Sequence, residues 1–157
     1  MTTMDNDHEI LSTLNINNIL YNYYNFKGCY AADNIPIIKP AENEINGFII
    51  NTAKYGSPGE HWTAIIIKNN SCIFFYSFGC EIYNQTLLSL LKSIQINKYM
   101  YNSIQIQPFL SNNCGYYCIA FILSQLKDFS YTEFMNIFSY DREKNNNTCY
   151  NFIKMYI

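Results

Sequence analysis

Cys114 and His61 are the residues whose types and placement could perform nucleophilic catalysis, with Gln107 as an accessory group. A cysteine nucleophile needs a base to take its proton, a group that holds the base, and donors for the oxyanion formed at the attacked carbonyl. The stretch from Gln107 to Cys114-Gly115 passes through a small-polar loop, Ser111-Asn112-Asn113, and then becomes apolar with helical spacing. Cys118, Phe121, Ile122 and Gln125 follow Cys114 at steps of three and four, which predicts a loop delivering Cys114 to the first turn of a buried helix ending near Lys127. A helix N-terminus carries partial positive charge and free N–H groups, so a thiolate is expected to be favoured there. Gly115 is expected to leave the space beside the sulfur open to a substrate backbone. The Gln107 amide could donate to the oxyanion together with the backbone N–H of Cys114.

His61 is the only internal histidine, because His8 sits in the polar start of the chain. It follows Gly59-Glu60 at a predicted loop-to-strand junction, where a side chain can face a cleft and Trp62 can wall off one side. Taken singly, His61 could be a strand-ending histidine and Gln107 a polar strand end. The pairing of His61 with a cysteine at a helix start favours the catalytic reading. Tyr116 and Tyr117 read as packing and rim residues, and Cys118 as a small buried core residue.

The positioning elements must come from 157 residues, enough for one domain, 1–157, with a real core. Hydrophobic residues at 49% argue against disorder. A net charge of −2 with 10 Lys+Arg argues against a broad electrostatic grip on nucleic acid. Met1 to His8 is polar and acidic rather than a secretory leader, and no apolar run approaches a membrane span, so an intracellular, non-secreted protein with reduced thiols is expected. The six cysteines, Cys29, Cys72, Cys80, Cys114, Cys118 and Cys149, have irregular spacing and lie mostly in apolar runs, so neither a disulfide framework nor a structural metal site is expected.

Along the chain, Asp7 is read as the cap of a first helix with Ile10, Leu11 and Leu14 on one face. An aromatic segment, Ile19 to Tyr30, leads to a turn at Asp33 to Pro36 and a polar loop from Lys39 to Asn46. Gly47–Thr52, His61–Ile67 and Ser71–Ser77 are predicted strands, the last two forming a hairpin about Lys68–Asn70, in a sheet covered on two sides. Leu87, Leu90, Leu91 and Ile94 mark an amphipathic helix after Phe78-Gly79. Ser103–Gln107 alternates and reads as a further strand. Beyond the cysteine helix, Ser130 or Thr132 opens another, Asp141–Thr148 reads as a polar linker, and Cys149, Phe152, Ile153 and Tyr156 stripe a last helix.

Taken together, these residues resemble the adenovirus protease (adenain) family of viral cysteine proteases with the Ulp1-like fold. Phe26-Lys-Gly-Cys-Tyr30 with Asp33-Asn-Ile-Pro36 is similar to the family's amino-terminal segment. Ile49-Ile-Asn-Thr-Ala53 followed by Gly59-Glu-His61-Trp62 resembles the block leading into its catalytic histidine. Cys72-Ile-Phe-Phe-Tyr-Ser-Phe-Gly79 resembles the strand bearing its acid, and Gln107 through Cys114-Gly115 its oxyanion glutamine and nucleophile. Asn147 to Ile153 is loosely similar to its closing helix. The resemblance implies an α+β fold with a mixed, mainly antiparallel central sheet flanked by helices. It implies His61 as general base, Cys114 as nucleophile and Gln107 as oxyanion donor, acting on viral precursor polypeptides in a host cell or virion. A monomer is the expectation, with no bound cofactor or metal. Adenain also uses a peptide activator and DNA. A peptide activator remains open, whereas the charge balance and the shorter chain argue against DNA activation.

Tyr76 stands where the family has Asp or Glu before its Ser/Pro-aromatic-Gly turn. A carboxylate fixes the imidazole tautomer and stabilises the imidazolium, whereas a tyrosine hydroxyl can do only the first. Three readings follow: Tyr76 orients His61, Glu60 or Glu81 substitutes for the acid, or the chain is a pseudoprotease that binds proteins without cleaving them.

Overall fold

The computed structural model describes residues 9–37, 39–40 and 42–157. Five strands form a mixed sheet in the order β1 (Phe26–Tyr30), β2 (Ile45–Asn51), β3 (Trp62–Lys68), β4 (Ser71–Phe75), β5 (Met100–Tyr101). The central pairs β2–β3 and β3–β4 are antiparallel, and the outer pairs β1–β2 and β4–β5 are parallel. Helices α1 (Thr13–Ile19), α2 (Gln85–Ser93), α3 (Cys114–Leu126), α4 (Tyr131–Asn136) and α5 (Asn145–Lys154) surround it.

Strand residues alternate between two cores because successive side chains point to opposite faces. Ile49, Ala64, Ile66 and Phe75 meet α3 and its neighbours, while Phe48, Ile50, Ile65, Ile67 and Phe74 meet Leu87 and Leu91 of α2. Both faces are therefore covered, which explains why β3 is apolar at successive positions. Helix α3 is buried from Tyr117 through Gln125 as well as at Cys114 and Gly115, so it threads the larger core. Each fully buried Leu, Ile or Phe there contributes roughly 1.5–3 kcal/mol of hydrophobic stabilisation. Gly47 permits the close approach, since a Cβ there would stand 3.0 Å from Ile122 Cδ1 and 3.2 Å from Ile66 Cδ1.

Several expectations change. The first helix is capped by Ser12, whose hydroxyl accepts from Asn15 N, while Asp7 and His8 lie outside the described residues. The aromatic segment contains β1, whose alternation is hidden by an irregularity between Phe26 and Cys29 and by Gly28 at φ 114°. The supposed linker Asp141–Thr148 instead holds a 3-10 turn at Arg142–Lys144 and the start of α5.

Ser103–Gln107 is not a strand, despite its alternation. It crosses the end of β4 as an irregular brace. Asn102 Nδ2 donates to Tyr76 O and Ile104 O, and the N–H groups of Ile106 and Gln107 both converge on Ser77 O. Two donors meeting at one carbonyl cannot continue a regular ladder. Gly79, at φ 75°, makes the crossing fit, because a Cβ would lie 2.7 Å from Ile104 C and 2.9 Å from Gln105 N.

Candidate active site

A cleft of about 550 Å³ opens between the segment before α1, the loop after β2 and the loop before α3. Its walls include Leu11, Asn51, Gly59, His61, Trp62 and Cys114. The topology sets Cys114 and His61 on the walls of one cleft although they lie 53 positions apart in sequence. Strand β3 starts one residue after His61 and lies under α3, whose first residue is Cys114.

Cys114 is 5% exposed, and burial pushes its thiol above the ordinary value. Hydrogen bonds from backbone groups of Trp62, Gly115 and Cys114 itself oppose this shift. Donation at the helix start is therefore present, but desolvation outweighs it, so the thiol pKa is raised where a helix start alone was expected to lower it.

Asn51 and Thr52 anchor the loop that carries His61. Asn51 Oδ1 accepts from Ala53 N at 2.8 Å and Glu60 N at 3.2 Å. Thr52 N donates to His61 O at 2.8 Å, and His61 N donates to Thr52 Oγ1 at 3.2 Å. The His61 imidazole is exposed and rests against Phe78 and Tyr76, with ring centroids 5.3 and 6.2 Å away. Its ring nitrogens make no hydrogen bond among the described residues. Tyr76 is half-buried, and burial raises its hydroxyl pKa, with smaller contributions from Tyr83, Cys80, Cys114 and Cys118. Of the alternative acids, Glu60 accepts from Thr52 Oγ1 at 3.0 Å, while Glu81 lies beside Cys80 and Tyr99.

Gln107 is fully buried behind the loop rather than on the cleft wall. Ser77 Oγ donates to its Oε1 at 2.6 Å, which turns its Nε2 toward Ser111 O at 2.7 Å and Ser111 Oγ at 3.4 Å. Asn146 Oδ1 accepts from Ser111 Oγ and Tyr117 Oη, and Asn145 Nδ2 donates to Ile106 O at 2.8 Å. The α5 start thus braces the nucleophile loop, a role hidden in sequence within an undistinguished asparagine run.

Gly115 does not open space for a substrate. Leu11 Cβ and Trp62 Cδ1 both stand 3.2 Å from where its Cβ would be. Trp62 Nε1 donates to Leu11 O at 3.0 Å and ties the amino-terminal segment to this notch. Trp62 does wall the cleft. No sequence signal marked Leu11 or Asn51 as site residues, since both look like ordinary structural positions.

The mixed five-stranded sheet covered by helices on both faces is the Ulp1/adenain-like fold. The ASFV pS273R protease is similar at 21% identity and a TM-score of 0.50, over 71% of this chain and 44% of that one. The chain thus spans less than half of that protease. AvrA delL154, in a structure with IP6 and CoA, is similar at 19% identity over 84% of this chain and 52% of that one, with a TM-score of 0.45. The Legionella pneumophila effector RavZ is similar at 11% identity over 68% and 39%, with a TM-score of 0.36. No family model and no curated protein matches this chain.

Proposed function

We propose that the protein is a cysteine endopeptidase that cleaves viral precursor polypeptides through a Cys114–His61 mechanism. The observation that carries this reading is Cys114 at the start of α3, with three backbone groups hydrogen-bonded to its sulfur in a cleft shared with His61. The resemblance to the viral protease family supplies the substrate class.

In this mechanism the exposed His61 ring turns from Phe78 and Tyr76 toward Cys114 and takes the thiol proton. The thiolate attacks the scissile carbonyl, and His61 returns the proton to the leaving amine. Water, deprotonated by His61, then releases the acyl group from Cys114. The Cys114 N–H stabilises the oxyanion. Gln107 joins it once the 111–113 loop shifts to open its buried amide to the cleft, its 3.4 Å contact with Ser111 Oγ being exchanged for the oxyanion. Before the His61 ring turns, ring contacts with Tyr76 and Phe78 seat the imidazole, and no carboxylate orients it. A peptide activator that reseats His61 would fit this geometry, and no metal or bound cofactor is needed. The expected setting is inside the host cell or virion, with the chain acting as a monomer. No helix among the described residues is long and apolar enough to cross a membrane.

The test is incubation with a proteome-derived peptide library, followed by mass spectrometry of new termini. Wild type should generate a defined set of cuts and Cys114→Ala none. Identical cuts by both proteins would sink the protease reading. The raised thiol pKa and the missing acid favour a second reading, a protein-binding module on the same fold, in which Cys114→Ala keeps full partner binding and wild type makes no cuts.

A further inference from the structure

Asn51 has a side-chain donor that the fold leaves unused at the cleft wall. The residue ends β2 and is 7% exposed, yet it lines the cleft that holds Cys114 and His61. Its Oδ1 accepts two backbone N–H groups, from Ala53 and Glu60. Those two donors also fix which end of the amide is oxygen, because the reverse orientation would set N–H against N–H. The Nδ2 end therefore faces away from those two N–H groups, and it donates to no group among the described residues.

Gly59 bears on the same atom. Its backbone does not lie in the left-handed region, so conformation does not require a glycine. A Cβ there would meet one neighbour, Asn51 Nδ2, at 3.5 Å. The missing side chain keeps the Asn51 amide uncovered.

We propose that Asn51 and Gly59 form a subsite for a main-chain carbonyl of an extended peptide, with Asn51 Nδ2 as donor. The proposal rests on the proteolytic reading of the cleft. An amide donor held in place by its oxygen end and open to the cleft offers a bound acceptor a preset partner. The cleft carries both Glu60 and Lys54, so its charge selects no anion, and a neutral carbonyl fits. An extended chain presents such carbonyls at regular intervals whatever its side chains, so this contact contributes register rather than sequence preference. The glycine lets the peptide backbone approach closely. Asn51 thus sets where the scissile bond lies relative to Cys114, while its other end holds the loop leading to His61.

The test compares two thiol probes on the full chain, read at Cys114 by intact mass and peptide mapping. One is chloroacetamide. The other is a pool of acetylated tetrapeptide vinyl sulfones ending in glycine with randomised upstream positions. Asn51→Asp keeps the acceptor and removes the donor, and Gly59→Ala keeps Asn51 but covers it. In both variants the ratio of peptidyl to chloroacetamide rate should fall about tenfold, the scale of one lost hydrogen bond, with little change in melting temperature. A ratio equal to wild type in both variants overturns the subsite and leaves the protease reading standing. If wild type reacts with chloroacetamide but with no peptidyl probe, the peptide reading of the cleft fails and the subsite falls with it. Should Asn51→Asp not fold, Gly59→Ala decides.

Discussion

The Ser77 hydroxyl donates to Gln107 Oε1 at 2.6 Å, joining the end of β4 to the loop that delivers the nucleophile. Both residues are fully buried. This single bond sets the direction of the Gln107 amide, and through Ser111 it fixes the loop beneath Cys114.

Replacing Gln107 by Leu should therefore destabilise the whole fold. The Ser77 hydroxyl and the Ser111 carbonyl would lose their partner in a buried setting, at a cost of about 2–4 kcal/mol. Urea unfolding followed by tryptophan fluorescence of Trp62 measures it. A loss below roughly 0.5 kcal/mol would mean that the brace can be replaced by water.

Tyr76 substitutions separate ring packing from hydroxyl chemistry. The Tyr76 hydroxyl makes no hydrogen bond among the described residues, whereas its ring contacts His61 and Phe78. Tyr76→Phe should leave His61-dependent alkylation of Cys114 within about twofold of wild type. Tyr76→Glu restores a carboxylate beside the base and should raise that rate on the order of tenfold or more. A large fall in both variants would assign the hydroxyl a direct role at His61.

Alkaline pH should weaken the protein in a defined window. Burial holds Cys29 and Cys72 protonated, with pKa values raised from 9.0 to about 12. Above pH 9.0 the unfolded chain releases these protons while the folded chain keeps them, so stability is full below that point and is lost as pH rises towards about 12. Denaturant midpoints measured across this range should fall, and Cys72→Ala should flatten the fall. Alkylation of Cys114, whose thiol is also raised, should still be accelerating above pH 9.0 rather than levelling near neutrality.

Gly79→Ala tests the crossing of the 102–107 brace over the β4 end. The substitution combines a strained φ of 75° with a Cβ 2.7 Å from the Ile104 carbonyl carbon. A loss of about 2–4 kcal/mol is expected, read as a lowered melting temperature. Unchanged stability would show that residues 104–105 can move aside.

Local patterning determined much of this protein. The apolar spacing after Cys114 located α3 and its first residue, because a helix buried on nearly all sides must be apolar along its length. The β-rich runs around Ile49, Ile65 and Phe74 located the central strands, because each side chain packs into one of two cores. The residue types at positions 61, 107 and 114 suggested the chemistry. Tertiary structure decided the rest. Whether Gln107 faces solvent or Ser111, whether Gly115 is open or filled by Leu11, and whether the Cys114 thiol is raised or lowered depend on groups distant in sequence. So does the fate of Ser103–Gln107, whose alternation predicts a strand until Ser77 O takes two of its N–H groups. Asn51 shows the division most simply. Its side chain is an ordinary polar group in the sequence, and only the folded loop around it determines which end is satisfied and which faces the cleft.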